Sequence, residues 1–212
     1  MKLIGLTTVG LAAILVATSA LAATPAIGVA SAYGSFTVNS AQVSGNSNIY
    51  DGSQINTGKS PSQIFLQGGS NMMLATNTGA TLYNDHLVLS QGAVRVDNMD
   101  KYDVKAMGYR ISPDAPGTQA AVRLNEGAVE VASMSGAVKV FDSNGAMLTR
   151  IGAGTASAFK PGQTGASGGG GGGAAGAIAA SNLLLYFAII AALAGIGLAA
   201  VALLNATGAT SR

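Results

Sequence analysis

The chain is predicted to be all-β, a short-strand β-solenoid-like coil or a sandwich, followed by one C-terminal transmembrane α-helix. Three observations carry this. Glycine-led strand units repeat through the middle of the chain, turn signals fall between them at short intervals, and an uncharged apolar run lies near the carboxyl end. The first two define residues 33–160 as the β-domain, and the third defines the membrane segment.

The repeats are Gly92-Ala93-Val94-Arg95-Val96, Gly127-Ala128-Val129-Glu130-Val131 and Gly136-Ala137-Val138-Lys139-Val140. In each, the valines stand two apart and face one side of a strand, while Arg95, Glu130 or Lys139 faces the other. Looser versions begin at Gly34, Gly79 and Gly145. Turns are marked by Asp51-Gly52, Gly68-Gly69, Asn84-Asp85, Asn125-Glu126-Gly127 and Asn144-Gly145. Strands thus start roughly every 8 to 12 residues, a spacing common to sandwiches, barrels and solenoids. Near-identical units place solenoid-like coiling first.

The termini are read as addresses rather than as fold. Residues 1–22 have Lys2, an apolar run centred on Leu11 to Val16, and the small-x-small pattern Ala20-Leu21-Ala22, which together describe a cleavable signal peptide. Residues 23–32 are expected to be a linker. At the other end, 161–179 is a glycine-rich tether containing six consecutive glycines, Gly168 to Gly173. Leu183 to Leu204 has no charged residue, and at about 1.5 Å rise per residue it spans a hydrocarbon core of roughly 30 Å. The expected transmembrane helix is 180–205, with a cytoplasmic tail at 206–212. Ala191, Gly195 and Ala199 recur every four residues on it, a ridge suited to helix–helix packing and weak self-association. This order places the chain in the inner (cytoplasmic) membrane as a single-pass protein with its N-terminal domain periplasmic.

Composition narrows the function. The 212 residues include 49% hydrophobic and 9% charged side chains, no cysteine and one histidine. Cysteine zinc sites, disulfide frameworks and cysteine lipidation are excluded. The net charge of +2 comes from Lys2 and Arg212; without them basic and acidic residues balance. No basic face for nucleic acid follows.

The acidic cluster Asp97 to Asp103 lacks the glycine and glutamate that a calcium loop needs, and reads as a solvated loop. His86, beside Asp85, reads as part of a turn rather than as a general base. Glu126 and Glu130 read as a solvated pair, with Glu130 pairing across strands with Arg95 or Lys139. Gly165-Ala166-Ser167-Gly168-Gly169 formally fits a nucleophile elbow, but no strand and helix flank it. Neither a catalytic residue nor a cofactor or metal site is expected.

One resemblance emerges from Asp51-Gly52-Ser53-Gln54-Ile55-Asn56-Thr57-Gly58 with Ile64-Phe65-Leu66, Gly68-Gly69-Ser70 and Met73-Leu74. Together with Leu89-Ser90-Gln91-Gly92-Ala93-Val94 and Leu124-Asn125-Glu126-Gly127-Ala128-Val129, this run resembles the FecR-type domain over residues 33 to 141. The resemblance implies a β-rich exported interaction module. FecR-type regulators carry an N-terminal anti-sigma segment before their membrane helix. Here the order is reversed, so sigma-factor regulation does not carry over.

The expected function is therefore a membrane-tethered, extracytoplasmic, non-enzymatic β-domain that acts by protein or glycan contact, as an envelope scaffold or sensor module. Among the tyrosines Tyr33, Tyr50, Tyr83, Tyr102 and Tyr109, read either as exposed contacts or as rings packed in the core or at an edge, the contact set is Tyr102, Lys105, Tyr109 and Arg110, where the FecR pattern breaks. The partners are an envelope protein or glycan and the lipid bilayer. Two alternatives stand: a surface protein whose glycine-rich and apolar C-terminus is a processed sorting signal, and an envelope hydrolase.

Overall fold

The computed structural model describes residues 24–161. It contains fifteen strands: β1 (Gly28–Val38), β2 (Ala41–Ile49), β3 (Ser53–Thr57), β4 (Ser62–Leu66), β5 (Asn71–Leu74), β6 (Gly79–Leu82), β7 (His86–Gln91) and β8 (Ala93–Asp97). The rest are β9 (Asp103–Ala106), β10 (Tyr109–Pro113), β11 (Gln119–Asn125), β12 (Ala128–Ser135), β13 (Val138–Phe141), β14 (Met147–Ile151) and β15 (Thr155–Phe159). All-β is the fold class, and no helix lies among the described residues. The expected transmembrane helix, the signal peptide, the tether and the ridge Ala191, Gly195 and Ala199 lie outside them.

All fifteen strands belong to one sheet, and β1 divides it into two wings. Residues Gly28 to Ala32 of β1 pair with β4 and open one wing, β4-β5-β8-β11-β12-β15. Past an irregularity between Ala32 and Ser35, Phe36 to Val38 pair with β3 and open the other wing, β3-β6-β7-β9-β10-β13-β14. β2 lines the far side of β1. The free ends of the wings, β14 and β15, approach each other, so the sheet nearly closes on itself.

The order of the strands differs from both the solenoid-like coil and the sandwich expected from the sequence. The chain passes repeatedly from wing to wing, as a coil does, but usually lays down a hairpin before returning. A hairpin reverses the direction of return, so the next strand pairs antiparallel with its neighbour. β8 crosses alone between the hairpins β6–β7 and β9–β10, and β7–β9 is the single parallel pair among the described residues. Coiling and hairpins are thus combined in a barrel-like sheet, instead of a uniform stack of coils or two separate sheets.

Inside, the wings share one core. Ile55, Leu82, Leu87, Val104 and Ile111 from the β3 wing meet Ile64, Met72, Leu74, Val94, Val122 and Val131 from the β4 wing, all essentially without solvent contact. The three glycine-led repeats supply Val94 and Val96, Val129 and Val131, and Val138 and Val140 to this core, as their period of two requires. Fully burying one such side chain contributes about 1.5–3 kcal/mol.

Each crossing between wings takes the backbone out of the ladder, and buried hydroxyls take up the stranded groups. Thr57 Oγ1 donates to Ala75 O at 2.5 Å and accepts from Thr78 N at 2.8 Å. Thr78 Oγ1 in turn accepts from Ala93 N at 3.1 Å, and Thr118 Oγ1 donates to Ala115 O at 2.6 Å. Two repeat glycines are fixed by these hydroxyls. Gly92 and Gly136 have φ of +81° and +75°, and a Cβ there would collide with Thr78 and Thr118 respectively.

Two expectations change. The strand β1 begins at Gly28, inside the stretch expected as a linker, because Gly28 to Ala32 are needed to pair with β4. The Asp97 to Asp103 segment is a wing crossing anchored in the core, with Met99 at 0% exposure and its N–H donating to Thr118 O at 2.9 Å.

Candidate functional site

The four expected contact residues lie on the β3 wing and at the crossing that enters it, and their side chains separate into two pairs, one turned inward and one outward. Tyr102 and Tyr109 are each only 5% exposed. The expectation of exposed tyrosines is corrected here: alternation turns both rings inward, and each hydroxyl finds a backbone acceptor. Tyr102 donates to Tyr83 O at 2.9 Å, and Tyr109 donates to Lys160 O at 2.5 Å while its ring rests on Phe159, 5.7 Å between centroids. Burial pushes both phenols above their usual range. The rings are structural pins. Tyr50, by contrast, is 40% exposed.

Lys105 and Arg110 remain at the surface and face one another across β9 and β10. They belong to a continuous row. Register places Gln54, Thr81, Val88, Lys105, Arg110, Phe141 and Met147 side by side across seven strands. Arg110 lies over the Phe141 ring, 4.1 Å from its centroid, and its Nη1 donates to Ser112 Oγ at 3.1 Å and reaches Asp103 Oδ2 at 3.5 Å. The guanidinium is therefore held over the ring, a cation–π contact worth about 0.5–1 kcal/mol at an exposed site.

Next to the row is an open groove of about 450 Å³ between the β9–β10 and β13–β14 turns, lined by Lys105, Met107, Tyr109, Arg110 and Asp142 among others. Met107, on the groove lining, is 42% exposed, and Met147, at the end of the row, is 58% exposed; Lys105, Arg110 and Asp142 supply the groove's charges. Behind it, Asp114 bridges Lys139 Nζ at 2.5 Å and Arg150 Nη2 at 2.7 Å. The Lys139 hydrogen bond, then that of Arg150, holds the Asp114 carboxyl below its usual range.

The residues weighed for chemistry are spread apart. His86 stacks on Tyr83, 4.5 Å between centroids at 11°, and its Nδ1 lies 2.6 Å from Asp85 Oδ1. That hydrogen bond is the main reason the Asp85 carboxyl lies below its usual range. Glu130 is not solvated: it is 5% exposed and pairs with Arg123 Nη2 at 2.5 Å and Asn125 Nδ2 at 3.1 Å, rather than with Arg95 or Lys139. Arg95 pairs with Asp97 instead, at 2.8 Å. Among the described residues no three His, Asp or Glu side chains gather as metal ligands. Sequence reasoning missed Phe141, which alternation after Val140 turns outward, and Met147, which an irregularity in the β13–β14 register sets opposite it.

No protein-family model matches the chain, and no curated protein matches it. Two crystal structures of a proposed anti-sigma factor from Parabacteroides distasonis ATCC 8503, at 1.65 and 2.50 Å resolution, are similar to it at 14% identity and a TM-score of 0.43. The matched region covers 55% of this chain and 57% and 56% of theirs, so it spans little more than half the length of those chains. The likeness is a coarse one of β-architecture.

Proposed function

We propose that the β-domain is a non-catalytic contact module of a bacterial envelope protein, leashed beside the membrane by its C-terminal segment, and that it binds a partner protein through the outer face of the β3 wing. The observation that carries this reading is the row Val88, Lys105, Arg110, Phe141 and Met147, in which two adjacent cations are flanked by the half-buried Val88 and Phe141 and the exposed Met147 on one outer face. Arginine and aromatic side chains on a half-apolar surface are what protein interfaces use as anchors. Tethering raises the effective concentration of such a module for its neighbours. A scaffold or sensor role in the periplasm agrees with the resemblance to FecR-type domains, while the sorting-signal and hydrolase alternatives have no comparable surface feature in their favour.

Crosslinking in intact cells, followed by recovery of the full chain, tests this. The wild-type chain is expected to bring down a partner that Lys105→Glu combined with Arg110→Glu loses at least tenfold, with the thermal transition preserved. Equal recovery by both chains sinks the proposal.

A further inference from the structure

We propose a second binding surface, on the outer face of the β4 wing, that takes a neutral β-linked glycan strand. It does not rest on the protein-contact reading of the opposite face.

Phe65 and Val29 are exposed by 44% and 38%, and they are register partners across β4 and β1. Along the same row lie Asn48 on β2 and Asn71 on β5; one row further are Asn46, Ser31 and Gln63. Phe65 thus stands within a rim of carboxamides. The side-chain amides of Asn46, Asn48, Gln63 and Asn71 make no hydrogen bond among the described residues. Their donors and acceptors are open to a ligand.

The charge pattern selects the ligand class. The sequence holds no Asp, Glu, Lys or Arg between Lys2 and Asp51. The next charges along these two rows, Arg95 and Asp97, neutralise one another at 2.8 Å. An anionic or cationic ligand would find no counter-charge here. A protein partner would find, besides Phe65 and Val29, only the half-buried Met73 as apolar area in these rows, too small for an interface core. Sugar rings suit both features: their C–H faces stack on an aromatic ring, and their hydroxyls donate and accept as carboxamides do. Strands β2, β1, β4 and β5 are spaced by about 4.8 Å, close to the pyranose repeat, so a glycan crossing the strands meets one polar or aromatic side chain per sugar.

Isothermal titration of the full chain with chitohexaose, and separately with cellohexaose, is the test. Saturable binding of at least one at millimolar ligand or below is expected, with Phe65→Ala weakening it at least tenfold and Asn71→Ala about threefold. Both positions lie outside the core, and the thermal transition of each variant confirms folding. Lys105→Glu, on the other face, leaves glycan binding unchanged. Absence of binding to both oligosaccharides, binding that survives Phe65→Ala, or binding of acidic hyaluronan alone overturns the proposal.

Discussion

The two wings are built from the same glycine-led strands, yet their outer faces are opposites. In Gly92 to Val96, Gly127 to Val131 and Gly136 to Val140 the inward valines are equally buried, while the outward side chains diverge: Lys139 is 37% exposed, Arg95 22%, and Glu130 only 6%. Location in the sheet decides this. Glu130 lies in the interior of the β4 wing, flanked by β11 and β15, where outward alanines (Ala93, Ala121, Ala132 and Ala156) form a second closed cluster with Met134 packed against it. Lys139 sits between β10 and β14, where charges are strung along an open surface. A repeat therefore specifies what goes into the core and leaves its other face to local context.

The largest effect expected from breaking this contrast is on the β4 wing. Arg123→Ala strands the buried Glu130 carboxylate and is expected to cost about 3–5 kcal/mol in urea unfolding, whereas Lys139→Ala on the open wing stays below about 1 kcal/mol. Equal losses would remove the difference in environment between the two wings.

A smaller graded effect separates the three leading glycines. A Cβ at Gly92 meets the backbone of Thr78 and Asn77, at Gly136 it meets Thr118, and at Gly127 it meets nothing within 4 Å. All three have positive φ. Gly127→Ala is therefore expected to cost about 1 kcal/mol from the left-handed backbone alone, and Gly92→Ala roughly 2–4 kcal/mol because overpacking is added. A thermal-shift series that ranks Gly127 as the costliest contradicts the packing described here.

Arg110→Ala should lose about 0.5–1 kcal/mol of stability with Phe141 intact, and nothing measurable when Phe141 is already alanine. A double-mutant cycle reads the coupling.

The smallest effect is acid dependence. Asp114 has a folded pKa below the usual 3.8, so it binds its proton less readily folded than unfolded. Its contribution is present above 3.8 and is lost as pH falls from there through the folded value. Asp114→Asn is expected to flatten the melting temperature against pH in that acidic range and leave neutral-pH behaviour nearly unchanged. An unaltered acid limb would show that Asp114 does not titrate with unfolding.

Much of the architecture was legible in the residues. Alternation in the three repeats announced strands, and Asn125-Glu126-Gly127 announced a hairpin turn, which the structure closes with positive φ at both Glu126 and Gly127. Site residues were harder to read. An apolar run such as Ile64-Phe65-Leu66 does not reveal which member faces out, and Tyr102 and Tyr109 carry the same polar tip whether they point to solvent or pin the core. Lys105 and Arg110 stand at the surface, as long cations seldom enter a core unpaired.

By itself, then, the amino-acid order determined strand, turn and inward face, because those depend on side-chain alternation and on backbone freedom at glycine. Only the tertiary structure decided which strands became neighbours, and with them the Arg110–Phe141 stack, the buried Arg123–Glu130 pair and the isolated Phe65 ring. Pairing between wings joins residues far apart in the chain, and whether an outward side chain is bare or covered depends on neighbours that no local pattern encodes.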